Sequence, residues 1–214
     1  MITPIKTFVW DGGQSTGPAA DLDNWSKGNN WDGNIDPAVG AAKALVMAGV
    51  VQTTNDMDGA YIAHSLLFRS DAGAFTINSS TGDTLTVKGG GIYNASASTQ
   101  TINTSVALAS NQTWNADAGD LVFNGANITN GAYNLTVNGG HNTTISGVYG
   151  SGAGSLTKTG TGNLTLSGTN TYTGTTNVNG GTVTLSNSSA LGSTAGGTTV
   201  NAGATLALQN NISV

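Results

Sequence analysis

Between residues 151 and 187 the chain reads SGAGSLTKTGTGNLTLSGTNTYTGTTNVNGGTVTLSN. Short runs of Leu, Val and Thr alternate with turns of Gly, Asn, Ser and Thr, and the pattern renews itself about once every twenty residues. A unit of that length is a single supersecondary turn that cannot bury its apolar face alone, so neighbouring copies must stack to make a core. This predicts a solenoid and disfavours a compact globule.

The repeat reaches well beyond that stretch. Ile77, Ile102, Phe123, Ile145, Leu166, Leu185 and Leu208 align as one core column, at spacings of 25, 21, 22, 21, 19 and 23 residues. Two residues earlier stand Phe75, Gln100, Leu121, Thr143, Leu164, Val183 and Leu206, mostly apolar, and Thr fills most of the positions between. Apolar inside and Thr outside is the period of a strand. Immediately after the column come Asn78, Asn103, Asn124, Ser146, Ser167 and Ser186, then Gln209. Stacked at the strand spacing of about 4.8 Å, these side chains are predicted to form a structural ladder of amides and hydroxyls. Leu156, Val178 and Val200 read as a second column. Seven such coils would make a rod of about 30 Å.

Residues 154–185, GSLTKTGTGNLTLSGTNTYTGTTNVNGGTVTL, resemble the autotransporter-associated β-strand repeat, also called the passenger-associated transport repeat, of large bacterial surface and secreted proteins. The same style extends more weakly through LTVKGG (residues 85–90), QTIN (100–103), QTWNADAG (112–119) and LTVNGG (135–140). The resemblance implies an all-β fold, a right-handed parallel β-helix, in a secreted passenger whose coil-by-coil folding helps to draw it outward.

Residues 1–40 differ from the rest and hold Trp10, Trp25 and Trp31. An irregular, aromatic-rich segment can cover the unpaired edge of a first coil, so this part is expected to be an N-terminal cap. Proteins that share the resemblance open similarly, with Trp and Asn before a Pro. Two other uses stay open: stacking of the tryptophan faces on sugar rings, and Ca²⁺ chelation by Asp21, Asp23, Asp32 and Asp36, which lack the complete loop of a calcium site. AAKALVMAGVV and YIAHSLLF follow, and the glycines that punctuate them favour strand over helix. Residues 41–214 are thus expected to form about seven or eight coils, open at the C-terminal end.

Charged residues make up 8% of the chain, against roughly 25% in typical globular proteins. All eleven acidic residues are Asp, and the net charge of −5 with six Lys and Arg leaves no basic patch for nucleic acid. No cysteine is present, so thiolate metal sites and disulfides are excluded. The N-terminus lacks the long apolar core of a signal peptide, and no run is long enough to insert in a membrane as a helix.

Catalysis needs ionisable groups within reach of one another. After Asp120 there is no carboxylate, so the best-formed repeats cannot hold a carboxylate pair. Asp56 and Asp58, with Arg69 nearby in sequence, are the best remaining cluster, and a solvated turn describes them more simply. Parallel β-helix polysaccharide lyases, which the coil geometry resembles, use Ca²⁺ held by carboxylates and a basic proton acceptor. His64 and His141 stand alone and read as turn or packing residues. The glycine groups at 89–91 and 150–154 read as turns needing positive φ, since no phosphate-loop motif follows them. Thr-x-Thr pairs occur at spacings too irregular for one flat ice-binding array.

The sequence therefore points to a non-enzymatic extracellular scaffold or stalk at a bacterial surface, without catalytic residues, metal or cofactor. Its expected contacts are weak and polar, to surface glycans or to itself. The alternatives are a fibre subunit that stacks head to tail, and a Ca²⁺-dependent polysaccharide-active enzyme.

Overall fold

Runs of alternating apolar and Thr or Asn residues, three to five long and closed by Gly or Asn, are too short for helices and form strands. The computed structural model describes residues 6–10, 25–26, 31, 43–51, 53–125 and 127–214. Among the described residues every pairing between strands is parallel, and each strand inside a sheet pairs with the equivalent strand of the coil before and after it. The result is a β-solenoid of about seven turns.

One sheet stacks Thr7–Trp10, Lys43–Met47, Tyr61–Phe68, Thr84–Asn94, Gln112–Ala116, Leu135–Gly139, Leu156–Lys158, Thr176–Val178 and Thr198–Val200 in that order. A second sheet stacks Thr54–Asp56, Thr76–Asn78, Gln100–Ile102, Leu121–Phe123, Thr143–Ile145, Asn163–Leu166, Thr182–Leu185 and Thr205–Leu208. A short third face begins in the middle coils, where Ser105–Leu108, Ile128–Thr129 and Tyr149–Gly150 pair in turn. The strand Thr84–Asn94 serves two faces: Leu85 lies beside Val106 on the third face, and Ile92 beside Trp114 on the first sheet. Between them the chain turns a corner at Gly91, whose φ is +65°. A Cβ there would stand 2.0 Å from the carbonyl oxygen of Thr113, so glycine is required by both torsion and space.

Registers in the second sheet lay Ile77, Ile102, Phe123, Ile145, Leu166, Leu185 and Leu208 over one another. The column begins one coil earlier than the sequence suggests, with Asn55 beside Ile77. All of these side chains are fully buried except Leu208, which is 50% exposed because no described residue stacks on the outer side of its strand. Leu208 is thus a rim residue, a correction to its expected place in the core.

The other column must also be corrected. Val178 and Val200 are register partners, but Leu156 lies beside Leu135 and Thr176. The residue in line with Val137 and Val178 is Lys158. A lysine points inward where an apolar residue is expected, which shifts any alignment made on apolar residues alone by two.

Aromatic rings pack within the interior, both between the two sheets and from coil to coil. Trp114 stacks on Phe123 with centroids 4.2 Å apart and planes 17° from parallel. Tyr149 and Tyr172 meet edge to face at 5.0 Å. At the N-terminal end Trp31 lies edge-on to Trp10 at 5.2 Å and to Trp25 at 5.7 Å, and Trp25 packs on Tyr61 at 5.1 Å. Trp10 itself sits in the first strand, in register with Met47, so the residues read as a cap contribute a rung of the stack.

Candidate functional site: the polar outer faces of the coils

The predicted ladder residues follow the second sheet, one per coil. Their backbones are tied in series: Asn103 N–H donates to the Ile77 carbonyl, Asn124 to Ile102, Ser146 to Phe123, Ser167 to Ile145 and Ser186 to Leu166, at 2.8 to 3.1 Å. Side-chain contacts along this line are discontinuous. Asn103 Nδ2 donates to Asn78 Oδ1 at 2.7 Å, Ser146 Oγ accepts from Gly125 N–H at 2.7 Å, and Ser186 Oγ donates to Gln209 Oε1 at 3.1 Å.

Two further lines, on the leading side of the strands, were not anticipated. Asn111 Oδ1 accepts from the backbone N–H of Asn134, and Asn134 Oδ1 from that of Ser155, both at 2.9 Å. On the second sheet Asp120 Oδ1 accepts from Asn142 N–H at 2.8 Å, and Asn142 Oδ1 from Asn163 N–H at 3.2 Å. Each side chain thereby supplies the acceptor for the first free N–H of the next coil, as an N-cap does for a helix. The recurrence of Asn at 111 and 134, and at 142 and 163, is the sequence signal that would have found them.

These bonds also fix the amides. A backbone N–H can only donate, so Oδ1 faces the next coil and the NH₂ of Asn111 and of Asn134 faces out. Both residues are exposed. They border an open groove of ≈380 Å³ at the corner of the coils, together with Gly89, Gly90, Thr113 and Thr136. Gln112 underlies it, buried, with Nε2 donating to the Val87 carbonyl at 2.9 Å and Oε1 accepting from Trp114 Nε1 at 2.9 Å.

The remaining candidates are tied into the scaffold. Asp56 accepts from Ser80 N–H at 2.7 Å and from its hydroxyl at 2.5 Å. Asp58 accepts from Ser26 N–H at 2.9 Å and from the Ser26 hydroxyl. Arg69 pairs with Asp71 at 2.8 Å, so the three residues grouped by sequence do not converge. Asp117 clasps two neighbours: it accepts from the Tyr93 hydroxyl at 2.5 Å, and its carbonyl accepts from His141 Nδ1 at 2.8 Å. That carboxylate holds the Tyr93 phenol above its ordinary range. His64 is half-buried. Trp10, Trp25 and Trp31 are 0% exposed and face one another, which removes them as sugar-stacking platforms. Asp21, Asp23, Asp32 and Asp36 lie outside the described residues. Among the described residues no group of three His, Asp or Glu is placed to hold a metal ion, and no helix is long and apolar enough to cross a membrane.

Lys158 takes the inward position that the second column was expected to give to Leu156. It is 2% exposed, and its ammonium donates to the carbonyls of Thr159 and, at 3.1 Å, of Gly160. Burial lowers its pKa from the ordinary 10.5. The native state therefore sheds this proton before the unfolded chain does, and the cost of the buried charge is present in full below the folded value and relieved as pH climbs toward 10.5. Lys158→Met is expected to raise stability by about 1 kcal/mol near neutrality. Its advantage over the wild type should shrink in urea titrations as pH rises toward 10.5. A pH-independent difference would mean that the charge is not what costs. Above pH 10 burial acts the opposite way on Tyr149 and Tyr172, raising the latter to about 12, so that stability falls there for both proteins.

Residues 156–185 match the family model of the passenger-associated transport repeat. No curated protein and no solved structure matches the chain. The matched segment holds the strand pairs that carry Lys158, Leu166, Val178 and Leu185, in register with the coils before them. The repeat belongs to a structural passenger family and not to an enzyme family. The chain is a parallel β-solenoid that carries an autotransporter passenger-type repeat.

Proposed function

We propose that the chain is a non-enzymatic scaffold or stalk, exposed outside a bacterial cell, that adheres through its polar outer faces. The observation that carries this reading is the unbroken register of the second sheet. Apolar residues stack over one another through seven of its eight strands, and the outward positions are mostly Thr. Such a rod is stiff because each coil is hydrogen-bonded to two others, and its faces repeat one polar contact many times. The carboxylates nearest to a catalytic arrangement, Asp56 and Asp58, are each engaged with a serine.

Fused ahead of a translocator barrel, the chain is expected to reach the surface of intact cells, where added protease removes it, and to confer adhesion to glycan-coated plates. Retention inside the cell, or export without gain in adhesion, overturns the reading. Head-to-tail fibre assembly has one observation in its favour: Val200, Leu208 and Val214 are 43%, 50% and 61% exposed at the last rung. The opposite end is less receptive, since Trp31 bridges Trp10 there. Sedimentation of the same protein at rising concentration separates a monomeric stalk from a fibre.

A further inference from the structure

The corner groove combines three properties. Its floor lacks a side chain at Gly89, where a Cβ would meet nothing nearer than Ser110 Oγ at 3.5 Å, which brings a ligand close to the backbone. Its rim carries the outward NH₂ groups of Asn111 and Asn134, whose orientation is fixed by their Oδ1 bonds to the next coil, and no described residue accepts from either NH₂. Its sides are the hydroxyls of Thr113 and Thr136, and no carboxylate lines it. Lys88, beside Gly89 in sequence, is exposed.

The donors occur on two successive coils, Asn111 with Thr113 and then Asn134 with Thr136, at the strand spacing of about 4.8 Å. A suitable ligand must therefore be extended, offer acceptor oxygens at a similar repeat, and present a face flat enough to lie over glycine. The rise of one pyranose unit in an extended oligosaccharide matches that spacing. An amide NH₂ donates to ring, hydroxyl and carboxylate oxygens alike, and a threonine hydroxyl both donates and accepts.

We propose that this groove is a saccharide-binding subsite that takes an extended oligosaccharide laid along the solenoid axis, about one sugar per coil. The proposal deepens the adhesive reading and rests on it only for where the ligand is met. Orientation is set before binding, because the scaffold bonds that hold Asn111 and Asn134 do not have to form with the ligand.

The decisive experiment is calorimetric titration of the full chain with a neutral hexasaccharide, cellohexaose, and an acidic one, hexagalacturonate. Asn111→Asp with Asn134→Asp keeps the Oδ1 acceptor for the next coil but replaces each outward donor by an acceptor. Gly89→Phe fills the floor, and a Cβ at residue 89 meets nothing nearer than Ser110 Oγ at 3.5 Å. Both variants are expected to weaken binding by about tenfold or more with an unchanged melting temperature, while Asn163→Asp, on the second sheet, binds as the wild type does. Saturation by cellohexaose would assign hydroxyl recognition, and saturation by hexagalacturonate alone would assign carboxylate recognition. Failure of both sugars to saturate the wild type, or wild-type binding by the folded variants, overturns the proposal. Sugar binding in solution with failed surface display would sink the stalk reading and leave the groove standing. Display with adhesion unchanged in the double variant would do the reverse.

Discussion

Gly154→Ala is expected to pull adjacent coils apart and to lower stability by about 3 kcal/mol. A Cβ at this position would stand 1.8 Å from the carbonyl oxygen of Tyr133 and 2.5 Å from its carbon, in the coil before. Those are backbone atoms, which cannot rotate away as a side chain would. Room for the methyl group comes only from lengthening the bond by which Gly154 N–H donates to Gly131, now 3.1 Å. The next coils repeat the constraint: a Cβ on Gly174 would lie 2.4 Å from the Gly154 oxygen, and one on Gly196 lies 2.0 Å from the Gly174 oxygen. A solenoid's stability is close to a sum of neighbour interfaces, so one spread interface uncouples the coils on its two sides. Gly125→Ala is the control, because φ is +72° there but no atom stands within 4 Å of a built Cβ. It should cost only about 1 kcal/mol, from backbone torsion alone. Urea denaturation followed by far-ultraviolet circular dichroism compares the two. Equal midpoints would show that close approach between coils does not constrain Gly154.

The architecture was legible wherever the inward residue is apolar. Ile102, Phe123 and Ile145 recur at a nearly fixed interval, and the strand pairing lays them over one another. Reading failed where an inward residue is polar. Asn55 opens the same column but does not look like a core residue, and Lys158 broke the alignment of Leu156 with Val178. The inward lysine is tolerated because its ammonium reaches the carbonyls of its own turn, a solution that depends on backbone direction and not on residue type. The asparagines that join one coil to the next were visible as residues, but their roles depend on which side of a strand they flank. The groove was hidden for a different reason. It is made by the side chain that Gly89 lacks, and by a corner at Gly91 that only the pairing of one strand with two faces reveals. Of the two glycine groups read as turns needing positive φ, the first has it at Gly91 alone, inside a strand, and the second at Ser151 and at none of its glycines, and nothing in the letters of the triplet says that the corner opens outward beside two amides.

Trp31→Ala is expected to have the largest effect of any single change in the described part of the N-terminal region, about 3 to 5 kcal/mol. Trp31 is the hub of the aromatic cluster: it meets Phe8 at 6.4 Å, Trp10 at 5.2 Å and Trp25 at 5.7 Å, each nearly perpendicular. Its indole Nε1 donates to the Trp25 carbonyl at 2.9 Å, which the substitution leaves without that donor. The cavity is surrounded by large rings that cannot all collapse into it, so the cost should stand at the upper end for a core truncation. A second consequence is geometric. Trp31 bridges Trp10 on the outer edge of the first strand, where the next hydrogen-bonding row would otherwise be open to another chain. Loss of the ring should therefore both loosen the first coils and promote edge-to-edge association. Trp31→Phe restores a ring without the Nε1 donor and is expected to recover most of the packing. Size-exclusion chromatography at several concentrations, beside urea titration, separates the two effects. Monomeric behaviour of Trp31→Ala at wild-type stability would show that the cluster neither seals nor supports the end of the stack.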